Sequence, residues 1–224
     1  MNFKKKTGIL ALIIGILLIL NITSYLNVYN NDLPSDTFFF KKFNFDTEKN
    51  FPSVFSSLLH LIASILLLSI GLTKLKTKTK KFFWFSLSVV FLFLALDELL
   101  RIHEKIGRYM DTMVDKSGIF YYSWLIPYGI AVILLGILYI KPFFRLPRKT
   151  IINFIIAGFI FIMGAMGLEM ITGSYIDSSN FGNVELKLIP QIFVLYTIEE
   201  LLEMIGITFF NYELLRFKVT NKIS

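Results

Sequence analysis

Four apolar stretches of this 224-residue chain carry ionisable residues at positions where hydrocarbon is expected. The last of them reads YTIEELLEMIGITFF and holds Glu199, Glu200 and Glu203. A central one, FLALDELLRIHEKIG, holds Asp97, Glu98, Arg101, His103 and Glu104, while GAMGLEMITG holds Glu169 and an earlier run holds His60. Carboxylates beside a histidine can ligate a divalent metal, relay protons or neutralise an incoming cation. At 100° per residue Tyr196, Glu199, Glu200, Glu203 and Gly206 fall within an arc of about 120°, so they can face one cavity together. Asp97, Arg101 and Glu104 share another helical face, which predicts an i,i+4 ion pair between Asp97 and Arg101, with Glu98 and His103 pointing elsewhere. Ser56, His60 and Ser64 recur at i, i+4 and i+8 as a polar strip, and Gly158, Gly164, Ala165 and Gly167 are small enough for close helix approach.

A charge at membrane depth costs about 2.5–3.5 kcal/mol by insertion scales, so such residues face a bundle interior or a wet cavity and have partners or tasks. Counted from the ends of their stretches, all of these groups fall in the same half of a bilayer. That shared depth predicts an outward-opening polar cavity between four helices. Its lining is acidic, with Asp97, Glu98, Glu104, Glu169, Glu199, Glu200 and Glu203 against Arg101 and two histidines. Seven carboxyls confined together do not all stay ionised alone; a cation enters or protons remain. The expected metal ligands are Glu199, Glu200, Glu203, Asp97, Glu98, Glu169 and His60, with Arg101, His103, Glu104 and Tyr196 in support.

The elements that must position these residues are membrane spans. The chain is 55% hydrophobic, 16% aromatic and only 17% charged, with a mean hydropathy of +0.65, which excludes an ordinary soluble enzyme. A window of about 19 residues predicts six spans at 7–28, 52–73, 82–102, 120–140, 151–172 and 188–212, making 1–224 one all-α, polytopic six-helix membrane domain. Lys4, Lys5, Lys6, Lys74, Lys76, Lys78, Lys80, Lys81, Lys141, Arg145, Arg148, Lys149, Arg216, Lys218 and Lys222 collect on one side, 15 of the 23 basic residues. By the positive-inside rule that side is cytoplasmic and holds both termini, which predicts a multi-pass protein of the cell (cytoplasmic or inner) membrane. Acids such as Asp46, Glu48, Asp111 and Asp177 fall on the other. Phe82, Phe83, Trp84 and Phe85 mark one interface, and Tyr121, Tyr122, Trp124 and Tyr128 the other. Phe38, Phe39, Phe40 and Phe43 are expected to cap the bundle. Because the charge of +7 flanks apolar runs, it sets topology and implies no nucleic-acid partner. Three lysines before the first span also fit a signal sequence, but no A-x-A-like site follows.

Known catalytic patterns narrow the chemistry further. No cysteine is present, which removes thiolate metal sites, disulfides and thiol nucleophiles. Two histidines cannot build a three-histidine zinc site, and Glu200-x-x-Glu203 is not the Glu-x-x-His pair of bundle di-metal sites. The blocks LDELLRIHEKIG, LPRKT followed by GAMGLE, and IEELLEMIG resemble segments of uncharacterised multi-spanning bacterial integral membrane proteins, over roughly 82–216. That resemblance implies a recurring acidic set and carries no activity with it. The leading expectation is a protein that binds or translocates a cation, either a metal ion or a proton. Glu213 continues the acidic stripe, as a through-path would require. A metal-dependent intramembrane enzyme acting on a lipid-like substrate, with a divalent metal as cofactor, is the alternative. An accessory or sensor subunit with a structural polar cluster is the third.

Overall fold

The structure, a computed structural model, describes residues 3–47, 49–73, 78–179, 181 and 184–221. Glu48, Lys74, Lys76 and Lys222, together with the side chains of Lys4, Lys6, Lys78 and Lys80, lie outside the described residues. The described chain is helical throughout, with no strand. In order it forms α1 (Phe3–Asn30), α2 (Phe38–Phe43), α3 (Phe51–Leu72), α4 (Lys78–Leu100), α5 (Ile102–Met110), α6 (Leu125–Phe143), α7 (Arg148–Ile162), α8 (Glu169–Ser178) and α9 (Pro190–Thr220). A π-helical turn, Met163–Leu168, joins α7 to α8 so that the two run on as one rod.

Thr7–Asn30, Phe51–Leu72, Lys81–Leu100, Leu125–Phe143 and Arg148–Ser178 are each long and apolar enough to cross a membrane. Their outer faces keep large apolar side chains uncovered, among them Leu12, Ile133 and Phe159, each more than 60% exposed. Water tolerates only small patches of that kind, so the surface fits a lipid bilayer. α9 is as long as these rods but interrupted by acids; it packs against α1, α3 and α7 and leaves Val194, Ile198 and Ile205 on its exposed face. It runs antiparallel to α1, where Asn21 Nδ2 donates to Thr197 Oγ1 at 2.9 Å and the Tyr25 and Phe193 rings stack with centres 3.8 Å apart. It runs parallel to α3, where Asn211 Nδ2 donates to the Leu59 carbonyl at 2.9 Å.

Lipid tails are as apolar as leucine, so helix association here rests on close packing and interhelical hydrogen bonds. α3 and α4 form an antiparallel hairpin held by Ser57 Oγ to the Ala95 carbonyl at 2.7 Å and by reciprocal Ser64–Ser88 bonds at 2.8 and 2.9 Å. The start of α3 is set by Asn50, whose side chain accepts from the Ser53 amide at 2.7 Å, with Pro52 in the first turn. Against α9 the rod of α7 comes within backbone contact. A Cβ on Gly206 would lie 2.7 Å from the Phe161 nitrogen, and one on Gly164 would lie 2.9 Å from the Glu199 carbonyl. Of the small residues expected to serve this purpose, Gly164 does so, whereas a Cβ on Gly158 would meet nothing. Phe40 is fully buried beneath α2, which caps the bundle while Phe38 projects outward.

The predicted boundaries shift at two places that matter. The helix of 82–102 ends at Leu100, because Arg101 takes a left-handed conformation with φ 52°. The predicted 120–140 becomes Leu125–Phe143, since 118–124 form a turn, with Gly118 at φ 54° and its amide on Asp177 at 2.8 Å. Phe120 and the aromatic residues after it read as the interfacial edge of a span, whereas Tyr121, Tyr122 and Trp124 line a polar cavity.

Candidate functional site

The loops after α1, α5 and α8 gather at one end of the bundle, together with the left-handed turn at Arg101. That turn reverses the chain and brings α5 back over α4. The expected Asp97–Arg101 pair is replaced by another arrangement: Asp97 accepts from the His103 amide at 2.7 Å, from His103 Nδ1 at 3.1 Å and from Tyr128 Oη at 3.0 Å. A carboxylate at the first turn of α5 meets the unpaired amides and the positive end of its dipole. Asp97 is therefore consumed in holding the turn, and a left-handed residue costing roughly 1–2 kcal/mol is offset by it. Arg101 pairs with Glu104, which also reaches Arg108 at 3.6 Å. His103, expected to point elsewhere, faces Asp97 and lies against Trp124 with ring centres 5.1 Å apart. Its burial opposes a proton, but the bond to Asp97 and the charges of Asp97, Glu169 and Glu98 outweigh this and raise its pKa.

Beneath these loops opens a cavity of about 400 Å³. Four aromatic residues, Tyr121, Tyr122, Trp124 and Tyr196, form much of its wall. Its acids are Asp46, Glu104, Asp111, Glu169 and Glu199, and its bases Arg108 and Lys116. The bases are spoken for, since Lys116 Nζ lies 2.6 Å from Asp111 and Arg108 pairs with Glu104 at 3.6 Å. Asp46, Glu169 and Glu199 make no ion pair among the described residues. Glu169 accepts from Trp124 Nε1 at 3.2 Å. Asp46 is exposed at the rim of the cavity, and desolvation by the protein packed around it, opposed by Lys187 and Arg101, pushes its pKa up to about 6. Tyr196 is fixed by Asn44 Nδ2 at 2.7 Å.

Glu199, Glu200 and Glu203 are half-buried on α9 and make no hydrogen bond or ion pair among the described residues. Glu199 feels Glu169, Glu200 and Asp46; Glu200 feels Glu98 and Arg101; Glu203 feels Glu98 and both neighbours on α9. The three acids, Glu98 and Glu169 thus form one electrostatic group extending inward from the cavity. The wide turn of 163–168 supports it, because Gly164 lets the rod press on the backbone of α9 at Glu199 and Glu203. Widened turns of this kind recur at functional sites.

Two expected members stand apart. His60, 2% exposed, lies between the rings of Phe91 and Phe161, with Nδ1 on the Ser56 carbonyl at 3.0 Å and Nε2 without a partner. It does not line the cavity. Glu213 has no accessible surface and is clasped by Arg216 Nε at 2.6 Å and Asn153 Nδ2 at 2.7 Å near the opposite end of the bundle, so it serves packing and does not extend the stripe. Among the described residues no three His, Asp or Glu side chains converge closely enough to hold a metal ion. Residues that sequence reasoning missed are Asp46, Thr172 and the cavity-facing roles of Tyr122 and Trp124. The turn residues Gly118 and Ser123 hinted that the aromatic segment leaves the helix, but nothing local pointed to Asp46.

Fold and site together define an all-helical multi-pass membrane protein with an acidic, aromatic-walled cavity at one end. The chain belongs to the family described as Domain of unknown function (DUF8692), whose model matches residues 10–217. No curated protein and no solved structure matches it.

Proposed function

We propose that this protein is a six-span inner-membrane protein, with both termini in the cytoplasm, whose outward-facing cavity binds a cation as the first step in translocating or sensing it. α9 is the sixth span, and Lys81, Lys141, Arg145, Lys149 and Arg216, at the end opposite the cavity, support the orientation. The observation that carries the reading is the set Glu199, Glu200 and Glu203. These acids sit inside the bundle with no hydrogen bond or ion pair among the described residues, beside Glu98 and Glu169. Carboxylates so placed are stabilised by a positive ligand or by retained protons. The metal-dependent enzyme has less support, since its ligand set does not converge among the described residues.

Thermal unfolding of the detergent-purified protein with sodium, potassium, magnesium, manganese and alkylammonium chlorides at fixed ionic strength tests the proposal. A bound cation at 100 times its Kd stabilises by about 2.7 kcal/mol. At least one cation should raise the Tm of the wild type and leave the Glu199→Gln, Glu200→Gln, Glu203→Gln triple variant unmoved. Equal shifts in both proteins, or none with any cation, would refute the reading.

A further inference from the structure

The cavity walls say more than that a cation enters. A small inorganic ion wants several oxygens converging at 2.0–2.6 Å, and such convergence is lacking among the described residues. What the cavity offers is area: aromatic residues on its wall, three carboxylates that make no ion pair among the described residues and a volume of about 400 Å³, within the range of about 300–1,000 Å³ typical of small-molecule pockets. Aromatic faces attract cations through the ring quadrupole, most strongly where water is excluded. The chain already places one ammonium this way, since Lys116 Nζ stands 6.0 Å from the centre of the Tyr121 ring while bonding Asp111.

An independent observation concerns Thr172 of α8. The residue is 4% exposed and lines the cavity, yet Oγ1 has no hydrogen-bond partner among the described residues. A buried hydroxyl left unsatisfied costs about 1–3 kcal/mol, and a helical threonine usually bonds a carbonyl of its own preceding turn. Thr172 forgoes that bond beside Gly173, where Tyr121 and Tyr122 press against the helix backbone. Its oxygen is left as an unused acceptor at the cavity wall.

We infer that the ligand of this cavity is a primary organic ammonium ion, its N–H groups held by Thr172 and the carboxylates of Glu169 and Glu199 and its carbon chain against Tyr122 and Trp124. The inference rests on the cation-binding reading above and names the class of cation. Arg108 and Lys116, each paired with an acid, leave the remaining negative charge for the ligand.

Trp84 and Trp124 are the two tryptophans of the chain, and Trp84 lies buried against Phe217 far from the cavity, so a Trp84→Phe background isolates the emission of Trp124. That protein is titrated with n-butylammonium chloride, and in parallel with sodium chloride, manganese chloride and neutral butanol at matched ionic strength. Butylammonium should change the emission saturably and the other three should not. Tyr122→Leu should weaken binding about 3- to 30-fold while Tyr122→Phe retains it. Thr172→Val should weaken it about 2- to 12-fold with a Tm equal to or above that of its parent, a combination that a packing role would not give. Saturation by manganese or sodium at lower concentration than butylammonium would overturn the inference and leave the cation-binding reading standing. Butanol matching butylammonium, or Tyr122→Phe failing as Tyr122→Leu does, would overturn it as well. If none of the salts alters the emission or the Tm, both readings fall.

Discussion

Replacing Gly206 by alanine adds one methyl group where α9 touches the rod of α7. The new Cβ would stand 2.7 Å from the Phe161 nitrogen and 2.9 Å from both its Cα and Cβ. Ordinary contact begins near 3.4 Å, so the two rods must part by about 0.7 Å, and backbone atoms cannot rotate away as a side-chain tip can. Overpacking of this kind costs about 1–3 kcal/mol, and contact with backbone places it near the top. Alanine's better helix propensity returns about 1 kcal/mol, leaving a net loss of roughly 2 kcal/mol. For a chain of this size that lowers Tm by about 4–8 °C. Gly158→Ala is the control on the same rod, because its Cβ would meet nothing within 4 Å; propensity alone should raise its Tm by about 1–4 °C. The assay is thermal unfolding in one detergent, followed by circular dichroism. Equal Tm values for the two variants would refute the backbone-contact account of how α9 is held.

Three further outcomes are expected. Arg216→Leu strips Glu213 of its cation while leaving the carboxylate without accessible surface. Such a break costs about 3 kcal/mol, and Glu213→Leu added to it should recover most of the loss; an unchanged Tm in the single variant would count against the pair. His103 faces Asp97 and Glu98 from α4, Glu169 from α8 and the Trp124 ring, and its pKa is raised in the folded protein. The stability it contributes is thus complete below the unfolded value near 6.5 and is lost as pH rises through the folded value. Tm should fall as pH climbs above about 6.5, and His103→Gln should flatten that slope. Finally, Asp46 is felt by Lys187 and Arg101 and looks across the cavity toward Glu169 and Glu199, with a pKa of about 6. Butylammonium affinity measured through Trp124 should therefore rise from pH 5 to 7, with about fivefold of the rise, the worth of an exposed ion pair of roughly 1 kcal/mol, coming from Asp46, so Asp46→Asn should shrink the rise by that factor and an unchanged rise would count against its part.

How much of this was legible in the sequence follows from the range over which each feature is encoded. Hydropathy is a local average, so apolar rods longer than 18 residues announce themselves, and the helical period puts Tyr196, Glu199, Glu200 and Glu203 on one side of α9 without reference to any neighbour. The bundle interior around that side was legible for the same reason, since charge at membrane depth has nowhere else to go. Periodicity failed at Arg101, where it assumed the helix continues and paired Asp97 four residues on. A left-handed residue there is unfavourable in isolation and is stabilised only once His103 and Tyr128, the latter 31 residues away in sequence, close on the same carboxylate.

By itself, then, the chain determined that it forms apolar helices, roughly where they lie, and that Tyr196, Glu199, Glu200 and Glu203 share one helical face. Tertiary structure decided which acids are spent and which are free. Asp97 and Glu213 are tied into local clasps, whereas Glu199 opens onto a cavity that Asp46, Trp124 and Thr172 reach from three other segments. The physical reason is that a carboxylate's role depends on the donors within about 3 Å of it, and those donors arrive from helices whose arrangement no local pattern records.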